Sequence, residues 1–186
     1  MSAFVYPVPR LGGRLPKISS GFETPSRPSH HGVDIMYKRL PEDGGPIGAH
    51  RLPELSPGHF MPGGIPALAF AAGVVSASKQ IGTGGYVVLQ HANGVSSEYM
   101  HLAARRVKVG DTVRAGQPIG IVGYGPEFEL NHLHFQLRQD GDLRDPKPTL
   151  ERAVIVDNPL RFRPLIALAA LGVGAWALYR AGLFGR

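Results

Sequence analysis

From Ile65 to Leu137 short apolar runs alternate with turn residues: Ala67–Phe70, Gly73–Ser76, Tyr86–Leu89, Ser97–Leu102, Ile119–Val122 and Leu133–Leu137. Runs of this length bounded by Gly, Pro, Asn and Asp predict β-strands. Asn93-Gly94 between two of them predicts a tight hairpin, and Gly110-Asp111 and Ala115-Gly116-Gln117-Pro118 predict further turns. Upstream, Val33–Met36 predicts one more short strand. No amphipathic helical period precedes Pro164. The expected class is therefore all-β, a mostly antiparallel sheet or split barrel closed by Asp145-Pro146 and Pro148.

The regions without a period set the domain boundaries. Residues 1–150 read as one domain, with a Pro/Gly/Ser-rich segment over 1–29 wrapped on it and a flap over 37–63. Loops as long as this flap are uncommon unless they serve a function or move. Residues 151–163 read as a linker and 164–186 as a hydrophobic tail. Leu165–Tyr179 is wholly apolar or small, between Arg163-Pro164 and Arg180. As a helix it spans roughly 22 Å, short of a ~30 Å hydrocarbon core. Extension to Phe184 with Arg180 snorkelling brings it near spanning length. A C-terminal hydrophobic helix is expected, a membrane anchor on one reading and a buried or interfacial segment on the other. Residues 1–7 lack a basic start and a sustained apolar stretch, so they do not read as a cleavable secretory signal.

Strand alternation also singles out polar positions. On a strand over Asn131–Arg138, Leu133, Phe135 and Leu137 face one way, and His132, His134 and Gln136 face the other. The first set is a core face, whereas the second has no packing role. A His-x-His segment alone is more often structural than catalytic. On 97–102, Tyr99 and His101 share a face opposite Met100 and Leu102. His30 and Asp34 flank Gly32, whose missing side chain lets the backbone bend closely. Imidazoles and a carboxylate make an N/O donor set suited to Zn²⁺, with imidazoles to spare for proton handling. His31, His50, His59 and His91 read as bystanders.

Composition narrows this little further. Of 186 residues, 25 are Gly and 17 Pro, and 43% are hydrophobic, which fits short strands and turns. The net charge of +6 favours polyanionic surroundings, such as acidic wall polymers or anionic lipid. No basic helix interleaved with aromatics appears, so no specific nucleic acid partner is expected. With no cysteine there is neither a disulfide nor a thiolate zinc site.

Four segments together resemble a known family. His30-His31-Gly32-Val33-Asp34 is similar to the His-x-Gly-x-Asp element of the lysostaphin/LytM zinc metallopeptidases. Glu98-Tyr99-Met100-His101-Leu102 resembles their Tyr-x-His-Leu element, and His132-Leu133-His134-Phe135 their His-Leu-His-Phe. Val109–Gly120 resembles the connecting Gly-Asp-x-Val-x-x-Gly-Gln turn. The likeness spans roughly residues 18–147, with the segments in the family's order.

The resemblance implies the lysostaphin/LytM sheet, Zn²⁺ held by His30, Asp34 and His134, and His101 and His132 as the catalytic proton-handling pair. It implies hydrolysis of peptide cross-links in bacterial peptidoglycan, with peptide stems as substrate. Two departures border the expected groove: the 37–63 insertion, and Gly125–Asn131 in place of a small, Gly-rich stretch. Glu127, Glu129 and Tyr99 are the candidates for substrate contact, the first two otherwise reading as solvated loop carboxylates. The expected setting is a virion-associated lysin of a phage, or a bacterial wall-remodelling enzyme facing the periplasm and wall. The tail at 165–184 would then meet a membrane or virion structural proteins. Two rival classes are a catalytically inactive wall-binding or hydrolase-activating module, and a structural membrane component with a folding metal.

Overall fold

The apolar runs become strands of one antiparallel sheet. The computed structural model describes residues 4–40, 58–82, 84–125 and 130–158. Within them lie β1 (Pro16–Ser20), β2 (Val33–Lys38), β3 (His59–Phe60), β4 (Pro66–Leu68), β5 (Gly73–Ile81) and β6 (Gly84–Gln90). They are followed by β7 (Val95–Arg105), β8 (Thr112–Val113), β9 (Pro118–Gly125), β10 (Leu130–Gln139) and β11 (Asp142–Arg144). One short helix, α1 (Lys147–Leu150), closes this part of the chain. The sheet runs β1-β2-β10-β9-β7-β6-β5-β8, with β10 also paired to β7.

That double pairing splits the sheet. Residues His134 to Gln139 of β10 pair with Val95 to Met100 of β7. Before that point β10 leaves β7, and Leu130 to His132 pair instead with Gly123 to Gly125 of β9. On its side β7 leaves β10 and pairs from Leu102 onward with β9. β9 thus wedges between the two, and the fork opens at His132–His134 and His101. At the fork His101 has φ of 62°, a left-handed backbone rare for a residue with a side chain. Gly84 makes room for it, because a Cβ there would lie 2.9 Å from His101 Cα. Gly123 does the same for Ala103, whose amide N would be 2.5 Å from an added Cβ.

Turn chemistry agrees with the sequence. Asn93 and Gly94 both take positive φ, 60° and 71°, the pairing a type I′ hairpin requires. Asp140-Gly141 does the same between β10 and β11, at 54° and 91°. The sequence expectation overlooked that second hairpin.

One face of the sheet carries the core. Val33, Ile35 and Tyr37 of β2 meet Leu133, Phe135 and Leu137 of β10, with Leu89, Tyr99 and Leu102 beyond. Phe135 is central, its ring 5.7 Å from Phe70 and 5.3 Å edge-on from Tyr99. The N-terminal segment is part of this construction. Val5 N–H donates to Phe70 O, Leu68 N–H to Pro7 O and Arg10 N–H to Val156 O. Residues 4–10 therefore lie between β4 and the stretch 154–157, to which they pair in parallel bridges. The linker expected over 151–163 begins here as chain laid against the domain; its remainder, the tail at 164–186 and flap residues 41–57 fall outside the described residues. Among the described residues no helix is long and apolar enough to cross a membrane.

Phe135 is wholly buried among aromatic neighbours, so Phe135→Ala leaves a cavity the sheet cannot close. Equilibrium urea unfolding is expected to show a loss of about 3–5 kcal/mol with an unchanged m-value.

Candidate metal centre

Register places the polar residues. β10 pairs with β2 so that His134 stands directly opposite Asp34, and directly opposed side chains share a face. His30 enters from the loop before β2, which is folded back by turns in which Arg27 N–H donates to Thr24 O and His30 N–H to Arg27 O. Gly32 lets this loop press on β10: an added Cβ would sit 2.6 Å from Phe135 O and 2.7 Å from His134 Nε2. Glycine here serves close approach of two ligand-bearing segments.

Three donor atoms converge as a result. His30 Nε2 is 3.0 Å from Asp34 Oδ1 and 3.1 Å from His134 Nδ1, and His134 Nδ1 is 2.9 Å from Asp34 Oδ1. All three residues are buried. Tetrahedral zinc ligands at ~2.0–2.1 Å from the ion stand about 3.3 Å from one another. A triangle with edges near 3 Å therefore fits that ion closely.

The far side of each donor residue is also fixed. His30 Nδ1 lies 2.6 Å from Gly21 O, which requires Nδ1–H to donate and leaves Nε2 free as a ligand. Asp34 Oδ2 accepts from Arg27 Nη1 at 2.8 Å, and the same nitrogen meets Ser20 Oγ. His134 Nε2 lies 3.0 Å from the Gln136 amide. With Nδ1 directed at the metal, Nε2 carries the proton and the Gln136 carbonyl is the group that receives it. Anchoring on the far side, with converging atoms on the near side, is the arrangement of a metal site.

Electrostatics point the same way. Burial by itself raises the Asp34 pKa, but the hydrogen bonds to His134 and His30 outweigh it and hold the carboxyl well below the usual carboxylate range. At His30 burial disfavours the charge, yet the bonds to Asp34 and Gly21 O leave its pKa raised. The carboxylate is thus held ionised, the form in which it can serve as a metal ligand.

Two further imidazoles flank the triangle. His132 Nε2 is 3.6 Å from Asp34 Oδ1. The His101 ring lies 4.7 Å from that of His132 and 5.9 Å from that of His134. Burial first, then repulsion from His132 and His134, pushes His101 down to about 4, which favours the neutral imidazole. These five residues line a cleft of about 380 Å³ whose other wall is the loop Ser26–His31.

The remaining candidates fall elsewhere. Tyr99 is not in the cleft, which corrects the shared face expected for Tyr99 and His101. It is wholly buried, and its hydroxyl accepts from Phe70 N–H and lies 3.0 Å from Ser97 Oγ. The left-handed turn of the chain at His101 breaks the alternation, so Met100 and His101 both reach the cleft while Tyr99 stays in the core. His91 hydrogen-bonds to Ala72 O and Ser97, and His31 stands at the cleft mouth 3.9 Å from Glu23. Glu127, Glu129 and His50 lie outside the described residues. Sequence reasoning missed Arg27, because seven residues of loop before Asp34 carry no period. It placed Gln136 on the correct face without assigning it a role.

Comparisons with known proteins bear on the same residues. Residues 59–146 match Peptidase family M23. Over 111 residues the chain is 34% identical to the peptidoglycan DD-endopeptidase ShyC of Vibrio cholerae, covering 59% of this chain and 25% of that protein. Over 79 residues it is 38% identical to the murein hydrolase activator EnvC of Escherichia coli, covering 42% of this chain and 19% of that protein. The chain thus spans a quarter or less of these two relatives. Among solved structures, the antimicrobial peptidase lysostaphin of Staphylococcus simulans superposes with a TM-score of 0.56 at 26% identity, over 82% of this chain and 55% of that one.

Removing the Arg27 anchor frees Asp34 to rotate. Arg27→Ala is expected to weaken zinc binding by about 10- to 100-fold, as loss of such outer partners does, measured by competition with a chromogenic chelator. An unchanged affinity would show that Asp34 is held without it.

Proposed function

We propose that this chain, whose residues 59–146 match Peptidase family M23, is a zinc-dependent endopeptidase that hydrolyses peptide cross-links of bacterial peptidoglycan. The observation that carries the reading is the convergence of His30, Asp34 and His134 beside the imidazoles of His101 and His132. A closed structural zinc site has four protein ligands, whereas three leave a position open toward the cleft. That difference speaks against a metal serving only the fold.

His30 Nε2, Asp34 Oδ1 and His134 Nδ1 would hold the ion. Zinc bound there supplies a Lewis acid, which polarises a peptide carbonyl and acidifies water. Around it, this chain's residues manage protons and position. Neutral His101 takes a proton from the attacking water, and His132 beside it shares the rise in charge through its proximity to Asp34. On collapse of the tetrahedral adduct the proton returns to the departing amine nitrogen, so the peptide C–N bond breaks without leaving an amide anion. Gln136, Gly21 O and Arg27 keep the three ligand residues oriented through this cycle. Ser26–His31 and Met100 form the walls that receive the peptide on either side. Glu127 and Glu129 remain our candidates for meeting a substrate ammonium group.

The bacterial relatives support a setting at the cell envelope, facing the wall, over a phage particle. The hydrophobic tail at 164–186 would hold the enzyme there. The likeness to an activator favours a second reading, a module that stimulates another hydrolase. Retention of all five metal-binding and proton-handling residues weighs against it, because an activator has no use for them.

Digestion of purified muropeptides, with mass analysis of the products, tests the proposal. The wild type is expected to cleave cross-linked dimers. His134→Ala should abolish cleavage together with zinc binding. His101→Ala should retain zinc and lose about 10²- to 10⁴-fold in kcat. Cleavage persisting in His134→Ala would exclude the zinc mechanism, and no cleavage of any wall type by the wild type would favour the activator.

A further inference from the structure

The outer edge of the sheet, at β5, carries a pattern that the peptidase site does not use. After β7 the chain turns back and runs antiparallel along β5. Arg105 Nη1 donates to Gln80 Oε1 at 3.1 Å, Ser78 Oγ donates to Val107 O at 2.7 Å, and Gly110 N–H donates to Val75 O at 2.9 Å. The rim so formed is roughly 20 Å long, six residues of strand at about 3.3 Å each. Residues 73–82 and 105–114 hold Lys79, Arg105, Arg106, Lys108 and Arg114 against a single carboxylate, Asp111. That carboxylate accepts the backbone N–H of Lys108. Among the described residues none of the five cations is in an ion pair, and all are exposed.

Large exposed aliphatic residues collect on the same rim. Ile81 at one end is 51% exposed, and Val109 and Val74 at the other are 61% and 46% exposed. They are three of the six large hydrophobic residues exposed among the described residues. A surface selected only for a soluble polyanion has no use for aliphatic side chains at its ends. One meant for nucleic acid would present aromatic faces, and the nearby Tyr86 is instead covered by Lys79. Cations between exposed aliphatics match the headgroup and upper acyl region of an anionic bilayer.

We infer that the β5 rim, from Ile81 through Arg105, Arg106 and Lys108 to Val109, docks the domain on an anionic lipid surface. The rim begins beside the cleft. The Arg105 stem passes over Gly85, and the adjacent Gly84 abuts the backbone of His101. Docking along it holds the catalytic cleft next to the membrane plane and fixes which way the cleft faces. The inference does not depend on the peptidase reading, since lipid binding needs no turnover.

Flotation of the full chain with phosphatidylcholine vesicles, with and without phosphatidylglycerol, at low and high salt, tests it. The wild type is expected to bind the anionic vesicles more tightly, and to lose that preference at high salt. Each cation at such a surface contributes about fivefold, so R105E/R106E/K108E should lose roughly a hundredfold or more on anionic vesicles and nothing on neutral ones. I81S/V109S should bind several-fold more weakly while keeping its salt dependence. Binding contributed by the tail is common to all three proteins and cancels. A zinc-induced rise in melting temperature equal to that of the wild type shows that the variants fold. Equal binding of wild type to both vesicle types, or wild-type binding by the charge-reversed variant, would overturn the inference. Unchanged vesicle binding by I81S/V109S, with soluble polyphosphate competing fully, would assign the rim to an acidic polymer instead.

Discussion

Three backbone pairs between β2 and β10, Leu133 with Ile35, His134 with Asp34 and Phe135 with Val33, hold the site and the core in one register. Because the side-chain period of a strand is two, the same pairing sends Leu133, Phe135, Ile35 and Val33 inward and His134 and Asp34 outward. A slip by one residue would bury the ligands among the aromatic core and expose that core to the cleft. Burial of wholly enclosed Phe135, Ile35 and Leu133 is therefore what keeps two ligand atoms 2.9 Å apart. The metal centre is stabilised by hydrophobic packing on the other face of its own strands.

The fork made by β9 supplies what a continuous sheet could not. In an unbroken ladder His132 would be covered on both sides by neighbouring strands at their regular spacing. Separation of β7 from β10 opens room at the crotch, and the left-handed backbone at His101 turns its ring into it. Such a conformation costs of order 1–3 kcal/mol and persists only where its surroundings enforce it. Gly84 on one side and the β9 pairing on the other are the enforcing contacts. Backbone strain thus coincides with the placement of the His101 imidazole beside that of His132.

The cleft and the basic rim belong to one continuous stretch of chain. β7 carries His101 in the fork and then leads through Arg105 into the strip along β5. The proposed docking rim and the candidate metal site are in this way joined by a few residues of a single strand.

Much of this was legible in the amino-acid order. Apolar runs with their turn residues predict the strands, Asn93-Gly94 predicts its hairpin, and alternation over 131–138 separates core from site. These are local properties, decided by backbone sterics and by the period of side chains on a strand. Tertiary structure alone decided the rest. Tyr99 falls in the core and Met100 in the cleft because a bulged, left-handed residue interrupts the period, and no residue type announces that. Arg27 finds Asp34 through the folding of a turn-rich loop, and Gly32 is required because another strand passes within contact of it. Residues 4–10 and 154–157, far apart in sequence, become neighbours because each leaves polar backbone groups that the other satisfies. Contacts of that kind depend on which segments meet across the molecule, and nothing periodic in the chain records them.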